Sequence, residues 1–185
     1  EACLRRGNDD SEAGRHEKAI ASYKKAIALK PDYAEAYHRM GVVYIELTQY
    51  QDAIIVCQQA ISIKPDYAEA YISIGTAYRK LRQYPDAIAA CKKAMALKPD
   101  LAEAYLCIGA AYLECKPYAD ALDAFKKAIA LKPNYAEAYL GLGTAHIYLR
   151  QYPDAITAYK KAIALKPNYA EAYLCMGFVY LELTQ

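Results

Sequence analysis

Proline recurs at Pro31, Pro65, Pro99, Pro133 and Pro167, and glycine at Gly7, Gly41, Gly75, Gly109, Gly143 and Gly177, each series stepping by 34 residues. A fixed period of roughly 20–50 residues marks a stack of like units, because no single unit can bury its apolar side alone. The register does not drift, so whatever one period folds into, its neighbours fold into as well. On this reading the 185 residues form one array. An atypical first repeat at 1–33 precedes regular repeats at 34–67, 68–101, 102–135 and 136–169, with a lone terminal helix at 170–185.

The stretch from Asp32 to Tyr67 shows what one period encodes. Asp32 followed by Glu35 has the spacing of a capping box, and the pair recurs as Asp66/Glu69, Asp100/Glu103, Asn134/Glu137 and Asn168/Glu171. A first helix, A, is therefore expected just after each proline. The pattern breaks at Thr48-Gln49, and a second helix, B, is expected from near Gln51 to Lys64, where Pro65 stops it. Pro85 and Pro153 fall in the first turn of their B helices, where a missing N–H does no harm. Acids at the B-helix starts (Asp52, Asp86, Asp120, Asp154) and lysines at the ends (Lys30, Lys64, Lys98, Lys132, Lys166) complement the helix dipole without any ligand.

In helix A, Tyr37, Gly41 and Tyr44 lie along one stripe, and helix B answers with Ala53, Cys57 and Ala60. Glycine inside a helix costs about 1 kcal/mol relative to alanine, so one in every period implies close helix contact, as in an antiparallel αα-hairpin. This pattern resembles the tetratricopeptide repeat family, whose signature sets an aromatic, Gly, Tyr, Ala, aromatic, Ala and Pro at fixed offsets. The corresponding residues are Tyr71, Gly75, Tyr78, Ala87, Cys91, Ala94 and Pro99 in one period, and Tyr105, Gly109, Tyr112, Ala121, Phe125, Ala128 and Pro133 in the next. A third series runs Tyr139, Gly143, His146, Ala155, Tyr159, Ala162 and Pro167. Cys57 and Cys91 depart from the usual aromatic, and His146 from the second tyrosine. The resemblance spans essentially the whole chain and implies an all-α, right-handed superhelical solenoid of helix-turn-helix hairpins.

Composition narrows the functional classes. The longest run free of Asp, Glu, Lys and Arg, Ala138 to Leu149, falls far short of the roughly 18 apolar residues of a membrane span. A net charge of +2 exerts no broad pull on nucleic acid or anionic lipid, so neither is expected as a partner. Lysine pairs such as Lys92/Lys93 and Lys126/Lys127 fall on helix B with no interleaved aromatic platform, and they read as solvated surface. The six cysteines contain no C-x-x-C pair and occupy helix-interior places. Free thiols in a reducing, cytoplasmic setting are expected from them. His16, His38 and His146 lie in different periods with no metal-ligand spacing, and no nucleophile motif or phosphate-cradling loop occurs. No cofactor, metal or catalytic residue is assigned.

One residue on from the core tyrosines runs a further, mostly apolar stripe on helix A. It comprises His38, Val42 and Ile45; Ile72, Thr76 and Arg79; Leu106, Ala110 and Leu113; Leu140, Thr144 and Ile147; and Leu174, Phe178 and Leu181. The other stripes face the partner helix and adjacent units, leaving this one with no obvious intramolecular neighbour. The resemblance implies that it lines a concave groove in which peptides and helices dock. A protein or peptide ligand with apolar anchors is expected, and Leu106→Arg with Leu140→Arg is expected to abolish capture while leaving melting unchanged. Two specialised family sites do not match: a carboxylate clamp needs lysine and asparagine where Leu4 and Asn8 stand, so its lysine is lost, and Glu69 and Ser73 stand where its further cations would be, while Arg39, Ser73, Cys107, Gly141 and Cys175 replace an asparagine ladder.

The ends differ from the interior. Arg6, Asp9 and Asp10 stand where the next period has Met40, Val43 and Tyr44, so the first A helix is expected to pack poorly. The last A helix has no B helix after it. Head-to-tail self-association through these terminal helices is the alternative function.

Overall fold

A computed structural model describes residues 1 to 183, and among them every regular element is an α-helix. In order these are α1 (Ala2–Glu12), α2 (His16–Leu29), α3 (Ala34–Glu46), α4 (Tyr50–Ile63), α5 (Ala68–Lys80), α6 (Tyr84–Leu97), α7 (Ala102–Cys115), α8 (Tyr118–Leu131), α9 (Ala136–Tyr148), α10 (Tyr152–Leu165) and α11 (Ala170–Leu183). The chain divides into two compact units, Glu1–Lys98 with α1 to α6, and the remainder from Pro99 with α7 to α11. In the first, α1 pairs with α2, α3 with α4 and α5 with α6; in the second, α7 pairs with α8 and α9 with α10, while α11 packs on both α9 and α10.

Helix ends follow from local chemistry. A residue before proline is pushed out of the α region, and Lys64 before Pro65 accordingly turns to φ −129°, ψ 90°. Lys98 and Lys132 do the same before Pro99 and Pro133. The A helices end in a left-handed residue: Thr48, Arg82, Lys116 and Arg150 have φ of 59°, 60°, 79° and 58°. After α3, the Gln49 N–H donates to the Tyr44 carbonyl at 2.8 Å, closing the last turn. Gly14, one period before Thr48, holds the same conformation at φ 69°.

The expected capping boxes do not form. The N-cap places of α3, α5 and α9 are taken by Tyr33, Tyr67 and Tyr135, and none makes a side-chain cap hydrogen bond. Because the turn after proline carries tyrosine into that place, the glutamate falls at the second helical position, one short of where it could reach back. It closes the hairpin instead. Lys98 Nζ donates to Glu69 Oε1 at 2.6 Å, Lys132 to Glu103 at 3.0 Å, and Lys166 lies 3.7 Å from Glu137. Lysines also sit over the tyrosine rings, Lys132 4.3 Å from the centroid of Tyr135 and Lys166 4.4 Å from that of Tyr169.

The recurring glycines are notches for the facing B helix. A methyl group at Gly109 would lie 2.8 Å from the Phe125 ring, and one at Gly143 2.5 Å from the Tyr159 ring. Tyr23 and Cys57 fill the notches at Gly7 and Gly41 in the same way. These plugs are sealed, with Phe125 at 1% exposure and Tyr159 at 0%. The alanines that flank them, such as Ala121, Ala128, Ala155 and Ala162, are fully buried, so backbones approach closely on both sides of each plug.

The first A helix packs better than its charges suggest. In α1, Leu4 and Gly7 are buried against α2, and Tyr23 donates its hydroxyl to Asn8 Oδ1 at 2.9 Å. Buried Asp10 accepts from Arg15 Nε at 2.8 Å, which offsets the cost of enclosing its charge. Arg6 and Asp9 remain exposed on the outer side of the hairpin. The expectation of free thiols holds for Cys3, Cys57, Cys115 and Cys175 but fails for Cys91 and Cys107, which are disulfide-bonded. Sequence spacing does not measure distance between thiols, so the absence of C-x-x-C was no guide, and the cysteines no longer argue for a reducing compartment.

Candidate partner-binding surface

The A-helix stripe has a structural neighbour after all. In the first unit, Ile45 packs with Ala53, Ile54 and Ala77, so α3 rests this edge partly on α5. Val42, Ile72, Thr76 and Arg79 are half-buried. His38 is buried, at 9% exposure, with Nδ1 3.1 Å from the Tyr67 hydroxyl and Nε2 3.1 Å from Ser73 Oγ. In a neutral imidazole one of these nitrogens donates and the other accepts, and each hydroxyl is able to play the complementary part. Burial, assisted by the Arg39 charge, lowers the His38 pKa to about 4. His38 is thus a polar rivet between α3 and α5 and offers nothing to a visitor.

The second unit repeats the arrangement with apolar side chains. Leu106 and Leu113 pack against Leu122, Phe125 and Ala145, and Leu140 and Ile147 against Ala155, Tyr159 and Val179. Thr144 donates its hydroxyl to the Leu140 carbonyl at 3.0 Å and lies 3.2 Å from the Tyr159 hydroxyl. Ala110 is half-buried beside them. Only in α11 is the stripe fully open, with Leu174, Phe178 and Leu181 at 61%, 58% and 61% exposure. The stripe is therefore a seam between successive A helices whose outer half stays wet. A consequence is that Leu106→Arg with Leu140→Arg would cut into the core as well as the surface, contrary to the expectation that melting would not change.

Charges rim the stripe without a dominant sign. Glu46, Lys80, Glu114 and Glu182 are exposed, and His16 Nδ1 approaches Glu46 at 3.4 Å. Among the described residues no group of three or more His, Cys, Asp or Glu converges as a metal site would require. Nor is any helix long and apolar enough to cross a membrane among those residues.

Known families agree with the hairpin geometry. A profile described as "TPR repeat" matches residues 7–48, 111–149 and 145–183, and profiles described as "Tetratricopeptide repeat" match 34–67 and 68–101. The chain belongs to the tetratricopeptide repeat family. Solved structures with the same fold include MamA, at 28% identity and a TM-score of 0.71 over 89% of this chain and 96% of that one. YrrB, described as a tetratricopeptide protein with an unusual peptide-binding site, is 25% identical with a TM-score of 0.66 over 92% and 88% of the two chains. PilW, a type IV pilus biogenesis factor, superposes at a TM-score of 0.90 over 99% of this chain and 85% of its own, with 22% identity. No curated protein matches this tetratricopeptide chain.

Two features of the surface were not foreseen from the residues alone. The His38–Tyr67–Ser73 network is one, and the lysine–glutamate clasps of the α5–α6, α7–α8 and α9–α10 hairpins are the other. Both hide in a shared offset: residue pairs 29 apart join Lys98 to Glu69, Lys132 to Glu103 and His38 to Tyr67. That offset links the end of a B helix, or the turn after it, with the A helix of its own hairpin.

Proposed function

We propose that this tetratricopeptide chain is an interaction scaffold that holds a peptide or helix of a partner protein along the wet half of its A-helix stripe. The observation that carries this reading is the repeated half-burial of apolar and small residues, Val42, Ile72 and Thr76 in one unit and Leu106, Ala110 and Leu140 in the other. Side chains held rigid by a core on one side and left open on the other are what an extended apolar ligand needs, because little entropy is lost on contact. YrrB, by its description a peptide-binding member of the family, supports the same class of function. The mixed rim charges favour a ligand of low net charge with spaced apolar anchors.

The test uses a display library of random peptides selected on the immobilised chain. Ala110→Arg and Thr76→Arg add bulk and charge at half-open places without removing a core side chain, since a long arginine reaches water along its stem. Selected peptides are expected to lose at least ten-fold in affinity for one or both variants while helicity is unchanged. A screen that enriches nothing, or peptides indifferent to both arginines, would refute the groove.

A further inference from the structure

Within the first unit, α4, α5 and α6 together line an open cavity of about 320 Å³. Buried Ile74 and Ala90 form its floor, with half-buried Ile61 and Tyr78 packed beside them. One period earlier the places of Ala89 and Ala90 hold Ile55 and Val56, and Val56 packs against the cluster around Met40 and Val43. The cavity is therefore the room that two alanines leave on α6. From α5 it is lined by Tyr71, Ile74 and Tyr78, whereas the A-helix stripe takes Ile72, Thr76 and Arg79, so the two surfaces share no residue.

The rim dictates the chemistry of an occupant. Asp86 and Lys93, both exposed, stand two turns apart on α6, about 10 Å along its axis, with Ala89 and Ala90 midway between them. Lys93 Nζ lies 5.8 Å from the centroid of the Tyr71 ring, which holds its charge at the mouth. An anion, an apolar recess and a cation in that order are complementary to a basic, an apolar and an acidic group in line. In an extended peptide the side chains at i, i+2 and i+4 share one face and span about 13 Å, and long charged side chains flex over the difference. A free small molecule needs most of its surface enclosed, so an open recess suits a side chain carried on a longer backbone. Exposed Gln58, on α4, offers an amide to that backbone. We propose that this groove is a second peptide site, separate from the stripe, for an extended partner segment with a basic, a large apolar and an acidic residue at alternate positions. The apolar side chain sits over Ala90, the basic residue meets Asp86 and the acidic residue meets Lys93.

The probe is the synthetic peptide Ser-Arg-Ser-Phe-Ser-Glu-Ser, titrated into the whole chain and followed by methyl NMR. Saturable shifts are expected at Ile61, Ile74, Ala89 and Ala90, with half-saturation below about 1 mM. A peptide with serine in place of phenylalanine is expected to bind at least ten-fold more weakly, on the order of what burying one such side chain contributes. Ala89→Ile with Ala90→Val restores the side chains of the preceding period and is expected to weaken the probe to the same degree by filling the recess. Lys93→Glu, at an exposed place, is expected to weaken it roughly three- to ten-fold and to favour a peptide with arginine in place of glutamate. No shift at several times that concentration, shifts centred on Ile72 and Thr76, or equal binding to the filled variant and to Lys93→Glu would each overturn the proposal. So would the same methyl shifts on concentrating the chain alone, which would make a second copy the occupant. Thr76→Arg and Ala110→Arg test the stripe separately, so either site is able to fail without the other.

Discussion

Acidification should loosen the first unit through His38. Its folded pKa of about 4 lies below the 6.5 of an unperturbed histidine, because burial, with Arg39 nearby, penalises the charged ring. The unfolded chain therefore binds a proton first. His38 contributes its full stabilisation above pH 6.5, and that contribution drains away as pH falls from 6.5 toward 4. At 1.36 kcal/mol per pKa unit the loss across the window is about 3 kcal/mol, a large part of the stability of a small domain. The comparison protein is His38→Leu, because Leu106, Leu140 and Leu174 already occupy this place two, three and four periods further on. Its unpaired Tyr67 and Ser73 hydroxyls set a constant cost but do not titrate in this range. Urea unfolding at pH 7.5 and pH 4.5 should show the natural protein losing about 2–3 kcal/mol more than the variant, a midpoint shift near 1 M. Every other group is common to the two proteins and cancels in the difference. Equal pH dependence in the two would refute the claim that His38 is held neutral.

Two further perturbations follow from the backbone. Gly143→Ala drives a methyl into the sealed Tyr159 ring and should destabilise by about 1–2 kcal/mol net, the overpacking outweighing a helix-propensity gain near 1 kcal/mol. Gly177→Ala meets no neighbour and, measured in dilute solution, should stabilise by about 0.5–1 kcal/mol; equal signs for the two alanines would contradict the notch assignment. Thr48→Gly relieves a β-branched residue held at φ 59°, and should raise the urea midpoint by the equivalent of about 0.5–1 kcal/mol even after the added freedom of the unfolded chain is counted. A lowered midpoint would mean that Thr48 is not strained.

Periodic features were the legible ones. Proline spacing placed the B-helix ends because a residue before proline cannot stay helical, and glycine spacing placed the notches because nothing larger fits under Phe125 or Tyr159. Contacts that depend on how one hairpin meets the next were harder to read. His38 stands at a stripe position otherwise occupied by Ile72, Leu106, Leu140 and Leu174, and its role depends on Ser73 from the following A helix and Tyr67 from the turn before it. The stripe is not free, because helix A has a third contact direction besides its partner helix and the preceding unit: the following A helix covers Ile45, Leu113 and Ile147 in part. The capping boxes misled for a local reason, since the spacing Asp-x-x-Glu was right while the tyrosine between them took the cap. Arg6 and Asp9, by contrast, are out of place for a core and cause no packing fault, because they stay exposed while Leu4 and Gly7 carry the packing of α1.

Every helix pair in contact lies at most two places apart along the chain, from α1 with α3 to α9 with α11. Such short loops cost little entropy to close, so any hairpin is able to nucleate the folding of its own unit, and that folding should be fast. The same economy makes melting a local matter: within each unit, helices packed on both sides ought to exchange their amides more slowly than those packed on one, so a single melting temperature conceals a spread read along the sequence.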